Sequence, residues 1–140
     1  AKGKIYRYLV WNDPILSPFY RQYAWHVPLT LDVTAMQEAA AAILGTHDFS
    51  AFRASSCSAP HGVRTILACT VSRDGPLVDV SLQANALLQH MVRIIVGTLV
   101  EIGLGKRAPG EMGDILRSLD RSRAGVTAAA RGLYLKEVIY

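Results

Sequence analysis

The sequence predicts an α+β domain in which helices pack on one face of an antiparallel-rich sheet. Segments rich in β-branched and aromatic residues alternate with helical segments, in the order strand, helix, hairpin, helix, helix, strand. Hydrophobic residues make up 51% of the 140 residues and charged residues only 19%, which suffices for one core. No internal repeat divides the sequence, so we expect a single domain over residues 1–140.

The first strand and the first helix follow from local composition. Residues 5–11 are rich in strand formers, so Tyr6 should lie on one face of the sheet and Arg7 on the other. Asp32 is placed to cap a helix over residues 33–44, because its carboxylate can accept the free backbone N–H groups of the first turn.

A hairpin occupies the middle of the chain. Residues 64–72 and 77–84 read as two strands, and Asp74-Gly75 between them is a turn signal. The second strand alternates apolar with polar residues, which indicates one covered face. The preceding residues 12–28 contain prolines and several aromatics, and we predict an ordered loop there.

The second half contains two helices and the last strand. Residues 87–104 form the main helix, and residues 109–119 form a shorter one with proline near its start. Residues 121–132 carry three arginines among small residues. Residues 133–140 read as the closing strand.

Several classes of protein are disfavoured by what the sequence lacks. It contains no G-x-S-x-G, H-E-x-x-H or phosphate-binding P-loop motif, and its four histidines show no metal-ligand spacing. No uncharged apolar run is long enough for a membrane-spanning helix. Cys57 and Cys69 are interpreted as reduced thiols of a cytoplasmic protein, with a disulfide as the alternative.

The charge balance is basic. The net charge is +4, the pI is about 9.3, and eleven of the fifteen basic residues are arginines. Arginine favours phosphate and planar recognition. Composition alone leaves open two interpretations, a mildly basic globular surface and a nucleic-acid-binding surface.

One arginine stands within the most apolar helix. Gln89, Arg93, Gly97 and Glu101 recur every four residues and should form one stripe, while the other faces are apolar. A buried arginine requires a partner. That partner is either a structural carboxylate, such as Glu101 or Glu137, or a catalytic carboxylate at the end of a cleft. The residues alone favour the structural pairing.

Five stretches in order along the chain resemble the C-terminal half of the tRNA pseudouridine synthase A family. They are Tyr6-Arg-Tyr8, Asp48-Phe-Ser-Ala-Phe-Arg-Ala54, Arg73-Asp-Gly-Pro76, Ala84-Asn-Ala86 running into His90-Met-Val-Arg93, and Gly132-Leu-Tyr-Leu135. The run that ends at Arg93 is the most specific of these, and together they cover nearly the whole chain.

This resemblance implies a fold and a reaction. The family pairs two ferredoxin-like, RRM-like halves around a positively charged cleft and acts in the cytoplasm. It isomerises uridine to pseudouridine in the anticodon stem-loop, at positions 38 to 40 of tRNA, on a base flipped from its stack. The resemblance implies no cofactor and no metal. It also implies a homodimer, with tRNA and the N-terminal half of the same protein as the other partners.

The resemblance also assigns site residues. Arg93 matches the arginine that pairs with the catalytic aspartate, Tyr6 matches a tyrosine beside the target base with a proton-transfer role, and Leu133 matches an apolar residue near that base. Without the resemblance, Tyr6 and Leu133 would read as sheet and core residues. Candidate phosphate contacts are Arg53, Arg64, Lys106, Arg107 and the arginines of residues 121–131.

One feature of the family is missing. Its nucleophilic aspartate lies in an Arg-Thr-Asp-Ala-Gly motif, and none of the seven aspartates here has that context. Relatives also more often have Phe at the position of Leu87. Because the chain begins at Ala1 in strand-like sequence and stops at Tyr140, we expect an excised domain that is inactive alone. The alternatives are a stand-alone, non-catalytic RNA-binding module and a ferredoxin-like domain without an RNA role.

Overall fold

The computed structural model describes residues 2–140, and within that range a six-stranded sheet carries three helices. The strands are β1 (Gly3–Trp11), β2 (Trp25–His26), β3 (Gly45–Asp48), β4 (Val63–Asp74), β5 (Leu77–Ala84) and β6 (Leu133–Ile139). The helices are α1 (Val33–Ala40), α2 (Met91–Gly103) and α3 (Glu111–Ser118). The predicted α+β class, with an antiparallel-rich sheet and helices packed against it, is confirmed.

Strand β1 lies at the centre of the sheet. On one side it pairs with β5, which continues to β4 and β3, all antiparallel. On its other side it pairs with β6 over most of its length and, near its end, with β2 in parallel. The closing strand β6 is therefore joined directly to the first strand, with Leu133 opposite Tyr8.

One face of this sheet and the helices form the core. Tyr8 and Val10 of β1 and every second residue of β5 from Val78 to Ala84 are buried in it, as the period-2 pattern predicts. Arg7 points to the other face, where it pairs with Asp79. Eleven of the thirteen residues of α2 are buried, and the two exceptions are Arg93 and Glu101. The prediction that this helix is covered nearly all round is confirmed.

The start of α2 corrects the sequence analysis. The helix was expected from residue 87, but it begins at Met91 because His90 has a left-handed backbone with φ of 61°. Gln89 therefore lies in the turn before the helix. The stripe of every fourth residue contains only Arg93, Gly97 and Glu101, and Arg93 lies in the first turn of the helix.

Two short strands were missed by the sequence analysis. Strand β2 lies inside the predicted loop of residues 12–28, and β3 follows the 3₁₀ turn after α1. Neither shows a periodic apolar pattern, because two and four residues are too few for one. Pairing with a neighbour, β1 for β2 and β4 for β3, defines both strands.

Other boundaries moved by a few residues. Helix α1 is capped by Asp32, whose carboxylate accepts the Ala35 N–H as predicted, but it ends at Ala40 and continues as one 3₁₀ turn. The hairpin turn is Gly75-Pro76, one residue later than the predicted signal. Gly75 has φ of 58°, and because proline cannot adopt a positive φ, only the first turn position is left-handed.

Two further predictions from the sequence concern membrane-spanning helices and the two cysteines. Within residues 2–140, no helix combines the length and the hydropathy needed to cross a bilayer. Cys57, which is half-buried, and Cys69, in the core, are both free thiols.

Candidate active site

A cavity of about 360 Å³ lies where the start of α2 meets β1 and β6. Its wall brings together three residues that the sequence analysis singled out, Tyr6, Arg93 and Leu133. They come from three separate elements and are far apart in sequence. The rest of the wall is the turn and first residues of α2, from Leu87 to Val92, together with Ala130.

Local structure explains why these three side chains meet. Tyr6 is two residues from Tyr8, so it lies on the helix-covered face of β1. Leu133 begins β6 directly after a 3₁₀ turn and pairs with Tyr8. Arg93 lies in the first turn of α2, because the left-handed residue before Met91 starts the helix there. The start of the helix at Met91 therefore places Arg93 in the wall of the cavity.

The Arg93 guanidinium is held by a backbone carbonyl. Its Nε donates to Ala128 O at 2.8 Å, and the Ala128 N–H donates to Arg93 O at 3.0 Å. No carboxylate within residues 2–140 forms an ion pair with Arg93.

The structural pairings expected from sequence do not form. Glu101 pairs instead with Arg107, at 3.2 Å, and Glu137 lies exposed on β6 without a salt bridge to Arg93. The physical reason for the error over Glu101 is distance, since eight residues of helix separate the two positions by about 12 Å.

The carbonyl that holds Arg93 belongs to an extended segment, residues 124–129, which we call the strap. The strap lies along the stripe of α2 that begins at Arg93. A Cβ atom on Gly97 would lie 1.7 Å from Val126 O, so only glycine permits this approach. The Gly125 N–H donates to Thr98 Oγ1 at 2.9 Å. The sequence showed the small residue within the stripe but not what covers it.

Tyr8 is a further residue next to the site that sequence reasoning did not assign. Its ring is fully buried, and its hydroxyl donates to Ala129 O at the end of the strap. Burial raises the pKa of this phenol well above its usual value, and the nearby charges of Arg93 and Arg131 offset only part of that rise. The two-residue spacing from Tyr6 was the signal that could have identified it.

The raised pKa of Tyr8 predicts a pH-dependent stability. Its folded pKa lies above the unfolded value of 10.0, so its contribution is present below pH 10 and is lost as the pH rises further. The loss has a slope of about 1.4 kcal/mol per pH unit. At pH 9, Tyr8→Phe should be less stable by about 1 kcal/mol through loss of one hydrogen bond. Urea unfolding at pH 9 to 11.5 should show this deficit shrinking above pH 10 and then reversing in sign.

Other buried groups titrate in the same direction, so the comparison must be made between variants. Burial raises the pKa of the Cys69 thiol to about 12, and the wild type and Tyr8→Phe share this thiol. Its effect therefore cancels in the difference between the two proteins. A deficit that stays constant across the pH range would contradict the assignment to Tyr8.

None of the candidate phosphate contacts lines the cavity, and Arg53, Arg64 and Arg107 have internal partners. Arg53 donates to the carbonyls of Cys57 and Ala59 and so holds the loop that follows the 3₁₀ turn of Ser50–Phe52. Arg64 donates to the carbonyls of its own neighbours at the start of β4. Lys106 is exposed. The structure does not place Arg53, Arg64 or Lys106 in the cavity wall beside Arg93.

Two of the remaining candidates, Arg107 and Arg121, hold the strap in place, whereas the Arg131 side chain donates to Ala24 O at 3.2 Å. Arg107 pairs with Glu101 and also donates to Arg123 O at 2.7 Å. Arg121 donates to Gly125 O at 2.9 Å. These two arginines therefore fix the segment that leads into the strap, a role that their positions in the sequence did not indicate.

The cavity has the size and the groups of a small-molecule site. Its volume falls in the range of typical ligand pockets. A guanidinium with free terminal nitrogens can bind a carboxylate or a phosphate, and a phenol beside it can take part in proton transfer. Within residues 2–140, no group of three or more His, Cys, Asp or Glu side chains is arranged to hold a metal ion.

Comparisons with known proteins give the same family as the five stretches. The family model described as tRNA pseudouridine synthase matches residues 39–140. Proteins named tRNA pseudouridine synthase A are 44% identical in Thermoanaerobacter sp. (strain X514) and 49% identical in Acetivibrio thermocellus, each over 140 residues. The one from Myxococcus xanthus is 48% identical over 141 residues.

These matches cover all of this chain but only part of each relative. The chain spans 57% of the first two relatives and 53% of the third. The family model covers more than half of the chain, and its matched range contains Arg93 and Leu133. On these grounds the chain belongs to the tRNA pseudouridine synthase family.

Proposed function

We propose that this chain supplies one side of an active site that converts uridine to pseudouridine in tRNA. The nucleophilic aspartate would come from an N-terminal half of the same protein. The observation that carries the proposal is the state of Arg93. It lines a cavity with Tyr6 and Leu133, is held by a backbone carbonyl, and has no carboxylate partner within residues 2–140.

Each residue has a role in this proposal. The target base is flipped into the cavity, the aspartate attacks C1′ of the sugar, and the glycosidic bond between C1′ and N1 breaks. The uracil turns, C5 bonds to C1′, and the bond between C1′ and the aspartate breaks. Arg93 keeps the aspartate ionised and oriented. Tyr6 lies beside the base and takes part in proton transfer, while Leu133 packs against the base.

The overall reaction is an isomerisation and consumes no second substrate. C5 loses a proton when it bonds to the sugar, and N1 gains one after its bond breaks. Atoms and electrons therefore balance within the substrate, so a proton relay through a residue such as Tyr6 is sufficient chemistry.

The finer specificity rests on the resemblance. We propose that the target uridines lie in the anticodon stem-loop, at positions 38 to 40, and that the enzyme is a cytoplasmic homodimer. Within it, residues 1–140 would form the C-terminal domain. Exposed Lys106 and Arg123 remain candidates for phosphate contacts, since both side chains reach solvent.

The proposal predicts that residues 1–140 alone do not modify tRNA. Release of tritium from uridine-labelled tRNA should be at background for these 140 residues. It should be restored when the polypeptide is produced as its gene encodes it. An antibody against this domain should detect a native polypeptide of about 27 kDa, given that a 15.3 kDa chain spans about 57% of its relatives.

Two results would contradict this. Turnover by the 140-residue chain would mean that a carboxylate within it acts as nucleophile. A native polypeptide of 15.3 kDa that binds tRNA in a salt-dependent manner without turnover would identify a non-catalytic RNA-binding module instead.

A further inference from the structure

The direction in which Arg93 points depends on a single acceptor. An arginine side chain has many rotamers, so a guanidinium that must meet a carboxylate needs to be fixed in advance. Within residues 2–140, its one hydrogen bond runs from Nε to Ala128 O. Because Nε carries this bond, both terminal nitrogens stay available as a planar fork for an incoming carboxylate.

Ala128 lies between two anchors of the strap. At one end, the buried Thr98 hydroxyl donates to Ile94 O and accepts the Gly125 N–H, both at 2.9 Å. At the other end, the Tyr8 hydroxyl donates to Ala129 O. A hydroxyl has one proton to donate. Thr98 donates it to Ile94 O within its own helix and accepts the Gly125 N–H of the strap with a lone pair.

Thr98 is one of only two buried polar or charged residues among those described, and the other is Asn12. It lies more than one helical turn beyond Arg93 and does not line the cavity. A valine would fill the same volume without either hydrogen bond. A helix stabilised by apolar burial alone would favour that valine, so the hydroxyl indicates a requirement outside helix packing.

We propose that Thr98 is a positioning residue for Arg93: its hydroxyl fixes the strap whose Ala128 carbonyl accepts the Arg93 Nε–H. This inference rests on the proposed function of Arg93. It assigns Thr98 no contact with substrate. Its effect on the reaction passes through the strap and the guanidinium.

The test compares Thr98→Val and Thr98→Ser in the polypeptide as its gene encodes it. With uridine-tritiated tRNA, Thr98→Val should lower kcat about tenfold, with KM within twofold, because an ill-oriented guanidinium affects chemistry more than tRNA binding. Thr98→Ser keeps the hydroxyl, so its kcat should stay within twofold of the wild-type value. In an Arg93→Lys background, where no Nε–H exists, Thr98→Val should cause no further loss in single-turnover rate.

A control variant separates positioning from stability. Ile43→Val removes one methylene from a fully buried side chain in the 3₁₀ turn after α1, far along the chain from the strap. It should lower the urea midpoint without lowering kcat. In nitrogen-15 NMR spectra, Thr98→Val should speed hydrogen exchange at Arg93 Nε about tenfold, whereas Ile43→Val should not.

The outcomes are distinguishable. If Arg93→Ala is inactive but Thr98→Val keeps both kcat and slow exchange at Nε, this inference is overturned and the proposed function stands. If Arg93→Ala keeps wild-type kcat, the proposed function itself fails. Equal losses from Thr98→Val in the arginine and lysine backgrounds would show that Thr98 acts by a route other than Arg93, which also overturns the inference.

Discussion

Replacing Arg93 with alanine should lower the rate of pseudouridine formation roughly 10²- to 10⁴-fold. Removing one partner of a buried ion pair costs about 3–5 kcal/mol. Each 1.4 kcal/mol in the barrier is about tenfold in rate. Without the guanidinium, the nucleophilic carboxylate would also become less acidic, so the acid limb of the pH–rate profile should move to higher pH. Single-turnover tritium release from uridine-labelled tRNA, measured across pH, tests both effects.

Arg117→Ala is the matched control for loss of one positive charge. Arg117 lies on α3, its side chain is 72% exposed, and its ion pair with Asp114 is at the surface. Exposed pairs of this kind contribute little, so turnover should stay within twofold of wild type. A rate within tenfold of wild type for Arg93→Ala would contradict the proposed role of the arginine.

Replacing Gly97 with alanine should have the largest effect on stability of any single methyl added to α2. The new Cβ would lie 1.7 Å from Val126 O and 2.8 Å from Val126 C, both backbone atoms that cannot rotate away. The strap would have to move off the helix. We expect a loss of at least about 2 kcal/mol in the free energy of unfolding, even though alanine favours a helix by about 1 kcal/mol.

The measurement is urea unfolding of the two proteins, with Gly110→Ala as control. Gly110 precedes α3 with φ of −64°, and a Cβ there would meet nothing within 4 Å. The control should be unchanged or more stable by up to about 1 kcal/mol. If Gly97→Ala matched that control, the strap would not pack on α2 as described. Because the strap holds Arg93, Gly97→Ala should also lower turnover in whatever fraction remains folded.

Elements with a long, clear period could be predicted from the sequence. Strand β5 alternates apolar and polar residues, and α2 is apolar on nearly every face, so burial alone dictates both. Short elements could not be predicted. Strand β2 has two residues and exists because β1 offers a free edge beside it. The start of α2 was also misplaced, because the left-handed backbone of His90 leaves no mark in an apolar pattern.

The same distinction between predictable and unpredictable features applies to the residues of the candidate site. Arg93 was conspicuous because a charge in an apolar helix demands an explanation, and resemblance added Tyr6 and Leu133. The structural pairing of Arg93 with Glu101 or Glu137 was wrong, because a peptide carbonyl holds its Nε and Glu101 pairs with Arg107 instead. Arg107 and Arg121, which the sequence analysis named as candidate phosphate contacts, bind the segment that covers α2. Sequence identifies residue types, and hydrogen-bond partners distant in sequence require the fold.

The sequence by itself determined the fold class, the family and the unusual arginine. These depend on composition, local periodicity and short motifs, which each residue carries regardless of its surroundings. Only the tertiary structure decided what Arg93 touches, why Gly97 must lack a side chain, and that Thr98 and Tyr8 anchor the strap. Those facts depend on residues 124–129 returning to α2 and β1 from a distant point in the chain, and no local pattern specifies where an extended segment without periodicity will lie.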